Sequence, residues 1–433
     1  MTVFADIMLK SMRFRPRSAN GNATQKGQLP SPGGFTRIKS VRDNRLVKLV
    51  VILIILWLFN PLRFINFYSK HKPHYPPSRL PGSKHTIASA SPYIYPPIED
   101  ADILRKIDIN DLVHKVAGHD GSLTYKSLNF LDDEDPFKQK IKEDNENAAS
   151  DEARAKNHFK NQEKIVYKPK LSKNYPKIVI VTAVDFDKYS TKSLAKIVQN
   201  RVNYAHEHNY GIYVRWIQEF IPELNSMDYL GDQEKSKWVR LFCMRAAMFA
   251  FPEAEWFWYF DQDGLVTNMK VDLYSYLLTP DSLRIAALKE QPIIPPNGLI
   301  KTYKNIQPTN MNLIFTQSES MIETNSFIVR NNEIGRAVID SWRAKLYLDY
   351  NNFPYGPDSA ITHILQWHPF VLSKAIIVSP RTINSFYSET ISPADKTTDH
   401  MHYFPGDLLA LWPSCSSSTE CELILQKVSG DNS

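Results

Sequence analysis

Apolar and polar positions change rhythm near Pro176, and from there the pattern is that of strands alternating with helices. Residues 178–182 (IVIVT) form an unbroken β-branched run, as expected of a strand buried on both faces. Leu194, Ile197, Val198, Val202 and Ala205 then recur at helical spacing, which predicts an amphipathic helix ending near Gly211. Residues 211–216 (GIYVRW) predict a second strand, 238–250 a second helix, and 256–260 (WFWYF) a third, fully buried strand. Such alternation predicts an α/β domain with a mostly parallel sheet. Ligands in such domains bind beyond the carboxyl ends of the strands, so chemistry is sought there.

Upstream the texture differs. Residues 49–59 (LVVILIILWLF) are unbroken apolar chain, and 46–65 make a span interrupted by Lys48, Asn60, Pro61 and Arg63. That is the length of a membrane-spanning helix. It starts too far from the N-terminus for a signal peptide and lacks a small-residue cleavage site. Residues 1–48 carry ten Lys/Arg against Asp6 and Asp43, which predicts a cytosolic tail and a luminal bulk. Seven prolines between 66 and 100 predict extended chain, and 101–131 carries irregularly spaced apolar residues suited to a small docking element. About half of the residues from 132 to 164 are charged, predicting a solvated helix or disordered stem. The expected order is therefore a basic tail (1–45), a transmembrane signal anchor (46–65), a stem (66–172), an α/β domain (173–427) and a short C-terminal tail (428–433).

Composition narrows this little. Of 433 residues 43% are hydrophobic and 12% aromatic, enough for a sizeable core. The net charge of +6 is concentrated in the tail, so no basic groove and no nucleic-acid partner are expected. Cys243 falls in a helical apolar pattern and is expected as a buried thiol. Cys415 and Cys421 enclose a Ser-rich loop and are expected to be bridged in an oxidising lumen.

The strand WFWYF runs directly into Asp261-Gln262-Asp263. Two carboxylates one residue apart at the end of a buried strand are costly to leave unpaired. A hard divalent cation removes the difficulty, and with open positions it can bridge phosphate oxygens and improve a diphosphate leaving group.

Residues 240–268 (RLFCMRAAMFAFPEAEWFWYFDQDGLVTN), 324–331 (TNSFIVRN), Asn384 and 406–415 together resemble the glycosyltransferase family that includes fungal mannan α-1,6-mannosyltransferases, α-galactosyltransferases and plant xyloglucan xylosyltransferases. The segments 197–220 and 361–369 are similar to those of a mannan polymerase subunit. The resemblance covers roughly 175–427. It implies a GT-A-type, Rossmann-like nucleotide-sugar-binding domain in a single-pass type II Golgi membrane protein. It also implies GDP-mannose as donor, transfer with retention, an α-1,6-mannan acceptor, and mannosyltransferase subunits as partners. Mn²⁺ (or Mg²⁺) would be held by Asp261 and Asp263, with Gln262 between them in the nucleotide-sugar site. Arg240 stands where the family has a diphosphate-binding Lys; a solvated helix position is the alternative.

Two departures accompany the resemblance. In GDLLALWPSC, Leu411 replaces the family's metal-binding His, and in Pro357-Asp358-Ser359-Ala360, Pro357 and Asp358 replace an acidic residue and a Gln. His402 is the nearby candidate for a substitute ligand. Asp358 is expected either to N-cap the following helix or to face the acceptor and developing positive charge. Asn325 and Ser326 are candidates for sugar contact, with a strand-edge structural role as the alternative. The departures leave a catalytically degenerate structural subunit open beside the mannosyltransferase, with a UDP-galactose-dependent enzyme as a third reading.

Overall fold

The computed structural model describes residues 86–89, 97–118, 123–167, 175–225, 231–294 and 298–430. The apolar run 46–65, expected as the anchor, lies outside them. Among the described residues no helix is long and apolar enough to cross a membrane.

The principal elements begin with α1 (Ala101–Lys106), a hairpin of β1 (Val113–Ala117) and β2 (Leu123–Ser127), α2 (Pro136–Ala149) and α3 (Asp151–Asn161). There follow β3 (Ile178–Val184), α4 (Thr191–His208), β4 (Gly211–Trp216), α5 (Asp232–Ala250), β5 (Trp256–Phe260) and β6 (Gly264–Val266). The chain continues through β7 (Leu313–Gln317), β8 (Ile322–Arg330), α6 (Glu333–Trp342), α7 (Pro357–Trp367), β9 (Ala375–Ile377), β10 (Leu409–Leu411) and α8 (Ser418–Ser429).

Six strands make the main sheet in the order β4-β3-β5-β8-β7-β9. Five run the same way, while β8 is antiparallel to both neighbours, so the sheet is mixed. Alternation along the strands sorts the core onto two faces. Ile178, Ile180, Trp256, Trp258 and Phe260 pack on the α4 side with Leu194, Ile197 and Val202. Val179, Val181, Phe257, Tyr259 and Phe327 pack on the other side with residues of α5, α6 and α7. The α4 helix starts where Ser190 accepts the Ser193 N–H and stops at Asn209, which takes the left-handed conformation (φ 57°).

The stem expectation needs correction. Ile98, Ala101, Leu104 and Leu112, with Ala155 and Phe159 of α3, belong to the same apolar cluster as α4. The helices of 136–161 look solvated in sequence because most of the residues they bury are polar: Gln139, Glu143, Asn157, Lys160 and Asn161 beside Ala155 and Phe159. Arg105 ties this segment to the turn after β3, donating Nε to the Phe186 carbonyl at 2.7 Å and Nη2 to the Tyr189 carbonyl at 2.8 Å. The described residues between 98 and 161 are therefore part of the folded body rather than a spacer.

Candidate active site

Three segments meet beyond the carboxyl ends of β3 and β5. They are the turn 185–190, Asp261-Gln262-Asp263, and the first residues of β8, which that strand's reversed direction brings to the same end. The Asp261 N–H donates to the Asn325 carbonyl at 2.9 Å, locking two of them together. They line a cavity of about 910 Å³, in the range of small-molecule sites.

Asp261 faces Arg240, whose Nη2 donates to Oδ2 at 2.6 Å and Nε to Oδ1 at 3.1 Å. The Tyr259 hydroxyl donates to Oδ1 at 3.0 Å. Arg240 also donates to Thr324 Oγ1 at 2.7 Å and Asn325 Oδ1 at 2.8 Å, and its Nη1 lies 3.7 Å from Asp358 Oδ2. It is 4% exposed, so it is a buried hub and not a solvated helix residue. Burial opposes its charge, but Asp261 and Asp358 outweigh that and raise its pKa further.

Asp263 is framed differently. Lys188 Nζ donates to Oδ2 at 2.8 Å and the Tyr189 hydroxyl to Oδ1 at 2.6 Å. Trp412 closes the frame, its indole N–H donating to Tyr189 Oη at 3.1 Å and its backbone N–H to the Asp263 carbonyl at 2.8 Å. Burial raises the Asp263 pKa, with Lys188 and Tyr189 pulling it down. Gln262 Oε1 accepts the Asp185 N–H at 2.8 Å and so braces the turn after β3.

Across the cavity stand Asp358 and Glu323. Asp358 Oδ1 accepts the Thr324 N–H at 2.7 Å, tying α7 to β8. The N-cap of α7 is Gly356 at φ 53°, so the capping role expected for Asp358 is not the one it plays. Burial raises the Asp358 pKa and Arg240 lowers it. Glu323 is pushed up to about 7, chiefly by burial and then by Asp358. In all, Asp185, Asp187, Asp261, Asp263, Glu323 and Asp358 line the cavity against Lys188, Lys237 and Arg240. Carboxylates exceed cations two to one, so an anionic ligand needs additional positive charge to enter.

The model of the galactosyl transferase GMA12/MNN10 family matches residues 174–422, a span holding every site residue above. The chain belongs to this glycosyltransferase family. It is 32% identical over 388 residues to the probable α-1,6-mannosyltransferase MNN11 of Saccharomyces cerevisiae, covering 83% of this chain and 86% of that protein. An α-1,2-galactosyltransferase of Schizosaccharomyces pombe is 28% identical over 254 residues, 57% of this chain and 63% of that one. Among solved structures, a glycosyltransferase that glycosylates the major capsid of PBCV-1 superposes with a TM-score of 0.38 at 17% identity, over 58% of this chain and 100% of that one.

In this glycosyltransferase the expected site residues divide. Arg240, Asp261, Gln262, Asp263, Asn325, Asp358 and His402 all line the cavity. Ser326 does not: its Oγ accepts the Trp258 indole N–H at 2.9 Å within the core. Consecutive strand residues point to opposite faces, so Asn325 facing the cavity turns Ser326 away. Leu411 is fully buried, and a Cβ added at Gly264 would meet its Cδ2 at 2.2 Å. Cys243 is a buried free thiol, and Cys415 and Cys421 form a disulfide at the cavity wall. Lys188, Tyr189 and Glu323 were not foreseen. The position of Lys188 and Tyr189 just past the end of β3 was the available signal.

The Asp261/Asp263 pair keeps donor capacity for a divalent ion. Asp261 Oδ2 and Asp263 Oδ2 each accept one hydrogen bond and keep a lone pair for a hard cation. His402 Nδ1 is 2.6 Å from Asp399 Oδ2, which leaves Nε2 as its ligating nitrogen. Yet the three expected ligands are not gathered around one point. Among the described residues, the group of three whose ligand atoms lie within 4.8 Å is Asp263 with Cys415 and Cys421, and those sulfurs are bonded to each other.

Proposed function

We propose that this glycosyltransferase is a retaining α-mannosyltransferase that moves mannose from GDP-mannose onto α-1,6-linked mannan of N-glycans. We place it in the Golgi as a single-pass type II membrane protein working with other mannosyltransferase subunits of a mannan polymerase complex. The observation that carries the reading is the Asp261/Asp263 pair, anchored by Arg240 and Lys188 at the strand ends, in a chain 32% identical to a probable α-1,6-mannosyltransferase.

Each wall of the cavity has a task in such a transfer. Arg240 is held protonated and preorganised, so it offers positive charge to a diphosphate without reorganising when the leaving group departs. A divalent ion on Asp261 and Asp263 would supply Lewis-acid charge to the same leaving group. Asp358 and Glu323, on the facing wall, present carboxyl groups where positive charge develops at the anomeric carbon. Asn325 holds its amide between Arg240 and Glu323, giving a fixed polar contact for a sugar hydroxyl.

A donor panel tests the reading: GDP-mannose, GDP-glucose and UDP-galactose offered with α-1,6-mannobiose, followed by linkage analysis of the product. Mannose added in α linkage from GDP-mannose is expected. The similarity to α-1,2-galactosyltransferases supports a second reading, and galactose transferred from UDP-galactose in its place would establish that reading. Nucleotide-sugar turnover by none of the three would favour the structural subunit.

A further inference from the structure

Among the described residues, Lys188 is the cation that touches the carboxylate pair from a partly open position. Its side chain is 25% exposed, whereas that of Arg240 is 5% exposed and tied to four groups at once, Asp261, Thr324, Asn325 and Asp358. The rest of the Asp263 surroundings is rigid: Tyr189 holds Oδ1, Trp412 holds both Tyr189 and the Asp263 backbone, and Arg105 braces the carbonyl of Tyr189. Oδ2 is therefore the movable half of this carboxylate's contacts, and a flexible four-carbon stem is what moves.

The position matters because a divalent ion needs that same oxygen. An ammonium 2.8 Å from Oδ2 occupies the approach and repels a second cation. Leu411 contributes no ligand to offset this. A diphosphate faces the opposite obstacle, since lining carboxylates outnumber cations. When ion and diphosphate arrive together both obstacles fall, because the phosphate oxygens give the displaced ammonium a new partner.

We propose that Lys188 is a built-in counter-ion that competes with the divalent metal for Asp263 and moves onto the donor's diphosphate when the metal–nucleotide complex enters, making metal and nucleotide binding mutually dependent. This rests on reading the cavity as a nucleotide-sugar site. Lys188 is a positioning residue in this scheme: it sets when the metal binds, and no bond to sugar is made or broken by it. Coupling of this kind is reciprocal, so nucleotide must tighten metal by the same factor that metal tightens nucleotide.

The test is Mn²⁺ binding to the full-length chain in detergent, followed by the electron paramagnetic resonance of free Mn²⁺ and by calorimetry, with and without GDP. For the wild type, GDP is expected to tighten Mn²⁺ by about tenfold or more. Lys188→Gln should bind Mn²⁺ about tenfold tighter without GDP and lose most of the coupling, while Lys188→Arg, which keeps the charge, should behave as wild type. An unchanged or weaker Mn²⁺ affinity in Lys188→Gln, with Lys188→Arg behaving identically, would overturn the proposal. So would a wild type that binds Mn²⁺ equally with and without GDP. If Lys188→Gln tightens Mn²⁺ but neither protein binds GDP, the competition at Asp263 stands and the nucleotide-site reading fails.

Discussion

Arg240 grips Asp261 through two nitrogens, Nη2 to Oδ2 at 2.6 Å and Nε to Oδ1 at 3.1 Å, and directs its third nitrogen, Nη1, to Thr324 of the antiparallel strand. One guanidinium thus joins the end of β5, the start of β8 and the base of α7. Removing it leaves the partly buried Asp261 and the buried Asp358 without their paired cation. Arg240→Ala is expected to cost about 3–5 kcal/mol of stability, read from urea midpoints. Arg240→Lys keeps the charge but loses the planar fork. It should recover much of the stability while donor affinity stays well below wild type, as calorimetry would show.

Glu323 gives the fold a pH dependence of definite sign. Its carboxyl ordinarily titrates near 4.5 and is pushed up to about 7 in the folded chain, so the folded state binds more protons between those values. The contribution is fully present below pH 4.5 and is lost as pH rises through 7. Glu323→Gln removes the titration. At pH 8 the variant should be more stable than wild type by roughly 2–3 kcal/mol, with the difference vanishing near pH 4.5, in denaturation series at the two pH values.

The segment 98–161 should prove necessary. A chain beginning at residue 170 exposes the α4 surface that Leu104, Leu112 and Phe159 cover, and it loses the Arg105 brace on the turn carrying Lys188. Each buried apolar side chain is worth about 1.5–3 kcal/mol, so the loss should exceed what the fold can bear. Light scattering and circular dichroism should find this fragment aggregated or unfolded, and one beginning near residue 86 folded.

The Cys415–Cys421 bridge holds the loop whose residues Pro413, Ser414 and Ser416 face the cavity. Replacing both cysteines by Ser should lower stability by about 2–3 kcal/mol, measured by thermal melts, and raise the KM for donor more than it lowers kcat.

Much of the frame was legible in the sequence. The runs GIYVRW and WFWYF became β4 and β5 with the predicted ends, because short runs dominated by β-branched and aromatic residues favour strands. Asp261 and Asp263 could be placed at a strand end for the same reason. What could not be read is what depends on chain reversal and on long-range pairing. The antiparallel course of β8 brings Glu323 beside Asp358, 35 positions away, and no local pattern announces it. The salt bridge of Lys188 to Asp263 spans 75 positions and likewise leaves no periodic trace. The helices 136–161 misled because most of their buried positions hold paired polar groups, Glu143 with Lys160 and Asn161, beside the apolar Ala155 and Phe159.

The most direct measurement is transfer of labelled mannose from GDP-mannose to α-1,6-mannobiose by the purified full-length chain, run beside Asp261→Asn under the same Mn²⁺ concentration. Asp261 is gripped by Arg240 at the strand end where the leaving diphosphate is placed. The wild type should form mannosylated product, and Asp261→Asn should lower the rate by on the order of 100-fold or more while remaining folded. A wild type that makes no product from GDP-mannose, or an Asp261→Asn variant that makes it undiminished, would contradict the assignment of this cavity as a mannosyl-transfer site.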